Sequence, residues 1–405
     1  MKSKNLKLII TVSVICLIIL TVIIASVITF FKTVEGEYTF KPFTGEIIKY
    51  NGTEKNVVIP EKIMGAKVKK ISPKAFYNSG VESVILPEGI MSIENSAFEN
   101  TVNLKKVVLN KNLKKIGDRA FYNSGVEDII LTTEIVYIGE SAFSNSNVKK
   151  IMIPSKVKTI FPSTFKSCHN LESVFFSDNL AAVYDGAFAD CIKLESVVFP
   201  EKLTYLGSGI FSGCTNLKKV EIGDMAKMIM PEKDKSYIDG MFSGCVSLRE
   251  VKLPNNLNEI GERMFYDCKK LEKIQIPSTV VSIGKEAFCM CESLKEVTIG
   301  KNVKKIAFSN ETENKEGPFS GCISLEKVVI EEGIDEIGFK MFYGCVNLKE
   351  ITIPKSVKNI SKWAFLDCYL LDKVVLLNPE TTIDEHSFDN CDSVIVERVN
   401  KEKMP

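Results

Sequence analysis

Hydrophobic residues recur along most of this chain at a fixed interval. A phenylalanine returns every 22 or 23 residues, except across two gaps of 31, and marks fourteen units within residues 57–391. Units of this kind bury their apolar faces against one another, so the period predicts a repeat array with one continuous core. The repeated residues are Phe76, Phe98, Phe121, Phe143, Phe165, Phe188, Phe211, Phe242, Phe265, Phe288, Phe319, Phe342, Phe365 and Phe388.

Within a unit, the spacing of apolar residues predicts a short strand and a return segment. Residues 348–368 read L-K-E-I-T-I-P-K-S-V-K-N-I-S-K-W-A-F-L-D-C. Ile351 and Ile353 fall on one side of a strand and Thr352 on the other, and Pro354 ends the strand because it has no N–H to donate. The return segment adds Val357, Ile360, Ala364 and Phe365 to the core.

A period in the twenties with this pattern is typical of a leucine-rich-repeat solenoid with a parallel strand ladder. We classify it as an α/β-type repeat protein. The phenylalanines should stack as an internal column. With strands about 4.8 Å apart, fourteen units give an array on the order of 65 Å long.

An uncharged apolar run at residues 8–31 precedes the repeats and is long enough to cross a membrane as a helix. A secretory signal peptide is the alternative, but its apolar region is shorter and ends in small residues, whereas this run ends at Phe30 and Phe31. Lys2, Lys4 and Lys7 precede the run, so the positive-inside rule places the N-terminus in the cytoplasm and the repeats outside.

The expected organisation therefore has five parts. Residues 1–7 form a cytoplasmic N-terminus and residues 8–31 a transmembrane signal anchor. Residues 32–56 form a linker and N-terminal capping unit, and residues 57–391 the solenoid. Residues 392–405 form a C-terminal cap and tail.

The repeats resemble the bacterial surface antigen A (BspA)-like leucine-rich repeats, whose units read close to V-x-I-P-x-x-V-x-x-I-G-x-x-A-F-x-x-C-x-x-L. Residues 273–277 (K-I-Q-I-P) and 281–288 (V-S-I-G-K-E-A-F) match this pattern, and residues 45–52 and 57–60 look like the family's opening unit. The resemblance covers about residues 37–391. It implies a cell-surface protein, with adhesion to a protein or glycan partner as the expected role, and the apolar run at residues 8–31 would make that protein single-pass.

Ten cysteines each follow a repeat phenylalanine by three residues, from Cys168 to Cys391, whereas the first four units carry Ser79, Thr101, Ser124 and Ser146 there. Residues in one column do not converge on a point, as tetrahedral zinc requires. Side chains in register also point the same way, which disfavours disulfides. We expect buried free thiols that act as small hydrophobic residues.

Other candidate chemistry is sparse. His169 and His386 lie far apart in repeat number, and no phosphate-cradling glycine loop or nucleophile motif is present. We therefore expect no metal, no cofactor and no enzymatic activity. Lys and Arg number 52 against 51 Asp and Glu, so there is no net positive charge to favour nucleic acid.

Two regions are candidates for partner binding. The first is a row of apolar residues that face outward from the strands. Later strands carry Glu221, Lys252, Gln275 and Thr298 at the same position. The alternative explanation for the apolar residues is their β-propensity alone. The second is the pair of insertions behind the two 31-residue gaps, at residues 230–239 and 307–317, which tolerated loops would also explain. The candidate residues are Ile85, Val108, Ile130, Met152, Phe175, Val198, Tyr237 and Phe308.

Three functions remain open from the sequence. A surface-displayed binding protein would use one of these two regions. A structural or spacer protein of the cell envelope would show a featureless outer face. An enzyme would need a convergent polar cluster, of which the sequence shows none.

Overall fold

A computed structural model describes residues 33–228, 240–308 and 315–399. Over these residues the chain is a succession of short strands and turns, without a helix. The classification as α/β-type is therefore wrong, and the fold is an all-β solenoid of parallel strands. The described residues also hold no apolar helix of membrane-spanning length, and the expected anchor at residues 8–31 lies outside them.

All units but one contribute one strand to each of two separate parallel ladders. The exception is the unit of Phe288, where Lys273 makes only an isolated bridge to Glu296 of the first ladder. The first ladder contains the strand that the sequence predicts, and the second lies within the return segment. The strands of the first ladder are Asn56–Val58, Ser83–Ile85, Lys106–Val108, Asp128–Ile129, Lys150–Met152, Ser173–Phe175, Ser196–Val198, Lys219–Glu221, Glu250–Lys252, Glu296–Ile299, Lys327–Ile330, Glu350–Ile353, Lys373–Leu376 and Ile395–Arg398.

The second ladder is built from strands of two residues. The second residue of each is apolar, and most of these side chains are buried. These strands are Lys70–Ile71, Ser92–Ile93, Lys115–Ile116, Tyr137–Ile138, Thr159–Ile160, Ala182–Val183, Tyr205–Leu206, Lys227–Met228, Glu259–Ile260, Ser282–Ile283, Lys305–Ile306, Glu336–Ile337, Asn359–Ile360 and Thr382–Ile383.

The N-terminal end is closed by antiparallel strands. Thr33–Glu35, Tyr38–Lys41 and Glu46–Tyr50 form a meander that joins the second ladder through Glu46–Tyr50. The ring of Tyr50 stacks on Phe76, with centroids 4.9 Å apart, and so covers the first ring of the core. A small hairpin of Lys62–Ile63 and Ala66–Lys67 links the two ladders in the first unit.

The third side of each unit is a corner segment, which we define as the residues from two before to three after the repeat phenylalanine. Its backbone N–H groups alternate in direction. In the first unit, Phe76 donates to the carbonyl of Ala97 in the next unit, whereas Tyr77 donates back to Lys74. The same bond from phenylalanine to the next unit, 2.7–3.1 Å long, spans every junction from Phe76 to Phe388.

This alternation requires left-handed backbone at two positions of the corner segment. Lys74 and Asn78, two residues before and after Phe76, have φ of 61° and 55°. Most later units place asparagine, aspartate or glycine at the second position, such as Gly213 with φ 73°; these residues tolerate left-handed backbone best. The exceptions are Ser167 and Met290. A helix cannot run through such residues, which explains why the return segment is not helical.

The phenylalanine column predicted from the sequence is confirmed. Successive rings from Phe76 to Phe388 lie 4.8–6.0 Å apart with interplanar angles of 21° or less. Parallel rings at this separation gain stacking energy in addition to their burial. The column is therefore the central element of the core.

The cysteine column consists of free thiols, as expected, but each also makes a hydrogen bond. All ten Sγ atoms lie 3.0–3.4 Å from the carbonyl oxygen of the phenylalanine one unit earlier. Burial raises the pKa of Cys168 to about 11, so the thiol stays protonated and can donate. Cys289, outside the column, is also buried.

Serine fits the same position less well. The Oγ atoms of Ser79 and Ser124 are buried and lack a hydrogen-bond partner, whereas Thr101 donates to the carbonyl of Phe98 in its own unit at 2.7 Å. The longer C–S bond lets cysteine reach the previous unit. The column therefore selects for a donor of the right length as well as a small residue.

Truncating a central ring should be costly. We expect Phe188→Ala to lower the free energy of unfolding by about 3–5 kcal/mol, because the buried ring leaves a cavity between Phe165 and Phe211. Urea titration followed by circular dichroism measures the loss. Phe175→Ala, at an exposed phenylalanine, is the control and should cost about 0.5 kcal/mol or less; equal losses would contradict the assignment of the column.

Shortening a column donor should also destabilise the solenoid. We expect Cys214→Ser to lower the free energy of unfolding by about 1–3 kcal/mol, because a buried hydroxyl would lose reach to the Phe188 carbonyl. The same titration measures it, and Ser124→Cys is the reverse control, expected to be neutral or stabilising. A serine variant as stable as the wild type would exclude the proposed role of the thiol.

Candidate functional site

The outward-facing row of the first ladder is exposed over seven consecutive units. Its members are 40–84% exposed, with Ile130 at 84% and Met152 at 71% the most exposed. Val58, in the opening unit, belongs to it although the sequence reasoning began one unit later. We call this row the outer stripe; it consists of Val58, Ile85, Val108, Ile130, Met152, Phe175 and Val198.

Strand register holds neighbouring members of the outer stripe side by side. Ile85 lies opposite both Val58 and Val108, and Met152 lies opposite Phe175. Their buried neighbours alternate with them along each strand, as in Ser83–Ile85, where Val84 is fully buried. The stripe ends where Val198 pairs with Glu221 of the next strand.

The junction between the units of Phe143 and Phe165 lies at the middle of the outer stripe. In residues 33–228, this is the one junction that neither parallel ladder crosses, so only the corner segment makes backbone bonds there. Ile130 and Met152 lie on its two sides. Because the strands do not pair at this step, both side chains lose cover, which accounts for their high exposure.

Charged residues beside the outer stripe are paired with one another. Lys55 and Glu82 lie 2.7 Å apart, and Glu127 and Lys149 lie 2.6 Å apart. Hydrogen bonding to the lysine of each pair lowers the pKa of both Glu82 and Glu127 below its usual value. The charges beside the outer stripe therefore cancel locally, just as the charges of the whole chain nearly cancel.

In the distal half, strand register places residues of opposite charge side by side at the position two residues before the outward row. Lys219 lies opposite Glu250, and Glu296 lies between Lys273 and Lys327. The Lys219 ammonium and the Glu250 carboxylate lie 3.8 Å apart and are both well exposed. Exposed pairs of this kind contribute little free energy, but they leave no net charge on this face.

The second insertion begins at a packed residue. Phe308 is partly buried against the core, and a Cβ atom at Gly338 would overlap its ring. The structure thus places Phe308 over the following unit rather than on an open loop. Tyr237, in the first insertion, lies outside the described residues.

The second insertion also ends in a fixed arrangement. The backbone N–H of Glu316 donates to the Glu286 carboxylate at 3.2 Å, and the Glu316 carboxylate pairs with Lys340 at 3.0 Å. Lys340 is almost completely buried and lies over the rings of Tyr343 and Trp363. These contacts hold the loop base and need no ligand to explain them.

An aromatic row on the second ladder was missed from the sequence. The rings contact one another across four units with centroids 4.6–6.2 Å apart, Phe161 and Tyr184 stacked and the other two pairs tilted; the row consists of Tyr137, Phe161, Tyr184 and Tyr205. The Tyr137 hydroxyl donates to Asp118 at 2.9 Å, and burial with this bond raises its pKa to about 12. The contact between Tyr137 and Phe161, with centroids 5.2 Å apart, packs the solenoid across the junction that both ladders skip.

Sites for small ligands or metals are weakly developed in the described residues. No group of three or more His, Cys, Asp or Glu side chains there could hold a metal ion. A depression of about 110 Å³ lies on the distal part of the first ladder. It is lined by Ile274, Glu296, Val297, Thr298, Lys327 and Val329.

Two solved structures of bacterial leucine-rich repeat proteins have a similar fold. A leucine rich cell surface protein from Faecalibacterium prausnitzii A2-165 is 24% identical, with 91% of this chain and 95% of that chain covered and a TM-score of 0.53. A leucine-rich repeat protein from Bacteroides ovatus is 23% identical, with 91% and 97% covered and a TM-score of 0.52. At this identity the likeness concerns the fold. No curated protein matches this chain.

The family model for the BspA type leucine rich repeat region matches the chain in four overlapping stretches, residues 69–195, 137–232, 224–314 and 309–401. Together these stretches take in nearly all of the solenoid, including both insertions. They agree with the recurrence of the phenylalanine and cysteine columns described above. The chain belongs to the BspA-type leucine-rich-repeat family.

Proposed function

We propose that this protein is displayed on a bacterial cell surface and binds a partner through the outer stripe. The observation that supports this is the exposure of seven apolar side chains in consecutive strands. The same position in the following strands carries Glu221 and Lys252. β-Propensity alone would favour β-branched and aromatic residues along the whole ladder, and it does not account for Met152 or for the change to charged residues.

The outer stripe is large enough to matter for binding. A continuous apolar patch of a few hundred Å² is near the size that marks interaction sites. Covering roughly 300 Å² of it would contribute about 7 kcal/mol before the cost of association is subtracted. The stripe can therefore supply much of the energy for a modest affinity, and polar contacts at its edges would set specificity.

Surface display rests on the family and on the N-terminal sequence. One structural relative is described as a cell surface protein. Residues 8–31 would anchor the chain in the membrane, with Lys2, Lys4 and Lys7 inside and the repeats outside. The two insertions, with Tyr237 and Phe308, are the second candidate contact region.

A spacer role is the second candidate, and it is supported by the distal half of the first ladder. There, alternating charges such as Lys219 and Glu250 neutralise the outer face. A neutral, regular face suits a rod whose outer surface binds no specific ligand. The two roles would then belong to different halves of one molecule.

The outer stripe can be tested by charge substitution. In the full chain, M152E together with F175E should weaken binding to any protein or glycan ligand by at least about tenfold, because charge is buried against an apolar surface. A ligand screen by biolayer interferometry measures it. V329E, at an isolated apolar residue of the distal half, is the matched control and should retain binding.

Two outcomes would count against this role. If the M152E and F175E double variant binds every ligand with the same affinity as the wild type, the outer stripe is not the binding site. A wild-type chain that binds none of the ligands on intact cells or in isolation would favour the spacer role.

The membrane orientation has a separate test. Protease added to intact cells should degrade the repeats, because they are expected outside, while a tag placed before Lys2 should be protected. Immunoblotting with antibodies to the tag and to the repeats measures both. Protection of the repeats in intact cells, with digestion after lysis, would place them inside and reverse the assignment.

A further inference from the structure

The outer stripe is long and narrow. It spans seven strands but is only one side chain wide, because its neighbours along each strand are buried and the next outward positions are polar, such as Lys106 and Lys150. On the opposite edge lie residues such as Pro87 and Pro154. With strands about 4.8 Å apart, the stripe is about 29 Å long.

This shape fits a linear segment better than a globular face. A stable interface between globular proteins buries about 800 Å² on each partner, which is well above the apolar area of a stripe one residue wide. A single extended or helical segment covers a narrow ridge completely. The two conformations differ in how their side chains are spaced.

The strand spacing favours a helix. A helix laid across the strands returns a side chain to the same face about every 5.4 Å, against about 4.8 Å between stripe residues, so it drifts by less than about 4 Å over the stripe. An extended segment returns a side chain about every 6.8 Å and would drift by about 12 Å. Only the helix keeps its apolar side chains in register with the strands.

We infer that the outer stripe binds one amphipathic α-helix of a partner protein, about 20 residues long, laid across the strands. This rests on the proposed binding role of the stripe and names the class of its partner. The most exposed members, Ile130 and Met152, lie at the centre, where residues that dominate binding energy usually cluster.

The charges at the edge of the stripe agree with this partner. Lys106 lies opposite Asp128 in the ladder, and the pair of Glu127 and Lys149 lies beside them. A surface that binds anionic lipids or a polyanionic glycan would carry an excess of lysine, whereas the lysines here are paired with acidic residues. A helix with an apolar ridge and mixed or uncharged polar flanks meets no electrostatic penalty.

The experiment compares the known distance between two stripe positions with the sequence separation of the partner residues that they contact. A photo-crosslinking residue, p-benzoylphenylalanine, replaces Ile85 or Phe175 in the full chain. Each variant is expressed in the bacterium that naturally makes the protein, and the cells are then irradiated. These positions lie four strands apart, about 19 Å. Mass spectrometry then identifies the peptide joined to each position, and the separation of the two attachment sites in the partner sequence is read directly.

Attachment sites in one partner protein separated by about 13 residues would support the helix, since a helix rises about 1.5 Å per residue. Apolar residues should recur at three- and four-residue spacing between them. M152K should reduce both adducts at least tenfold. The same crosslinker at Thr352, the equivalent position of the distal half, should give no adduct with this partner.

Other outcomes separate this inference from the proposed function. A separation of about six residues would indicate an extended segment, and adducts with lipid or glycan would indicate another class of ligand. Either result overturns the helix and leaves binding by the outer stripe intact. No adduct at either position, with the chain present at the cell surface, would overturn both.

Discussion

The corner segment is the constraint on which the rest of this solenoid depends. Its alternating backbone sends every second N–H to the next unit, and this bond continues from Phe76 to Phe388 while the two parallel ladders are interrupted at several junctions. The unit spacing that it fixes sets the distance between stacked rings and between column thiols. The outer stripe inherits the same spacing on another side of the rod.

The corner segment also explains the residues that the family pattern repeats. Left-handed backbone two residues after each phenylalanine favours asparagine, aspartate or glycine, as at Asn100 and Gly244. From Phe143 to Phe365, the carbonyl of the phenylalanine accepts a bond from the thiol of the next unit, which favours cysteine. Sequence conservation in such a repeat would therefore report backbone geometry as much as packing.

Much of this fold could be predicted from the sequence, because its regularity is one-dimensional. The phenylalanine column, the free thiols and the outward side of each strand follow from the period alone. The all-β character did not, because the spacing of Ile360 and Phe365 does not show that Trp363 between them is left-handed. The sequence also did not predict that Phe308 packs over Gly338, because the length of an insertion does not determine where its residues pack.

The junction that both ladders skip has a mechanical consequence. A rod bonded along three sides resists bending in every direction, whereas one bonded only at a corner is compliant about that corner. Between the units of Phe143 and Phe165 the backbone is bonded at the corner alone. Curvature of the solenoid should therefore vary most at this joint. As the rod bends, the distance between the side chains of Ile130 and Met152 would change more than any other spacing along the outer stripe.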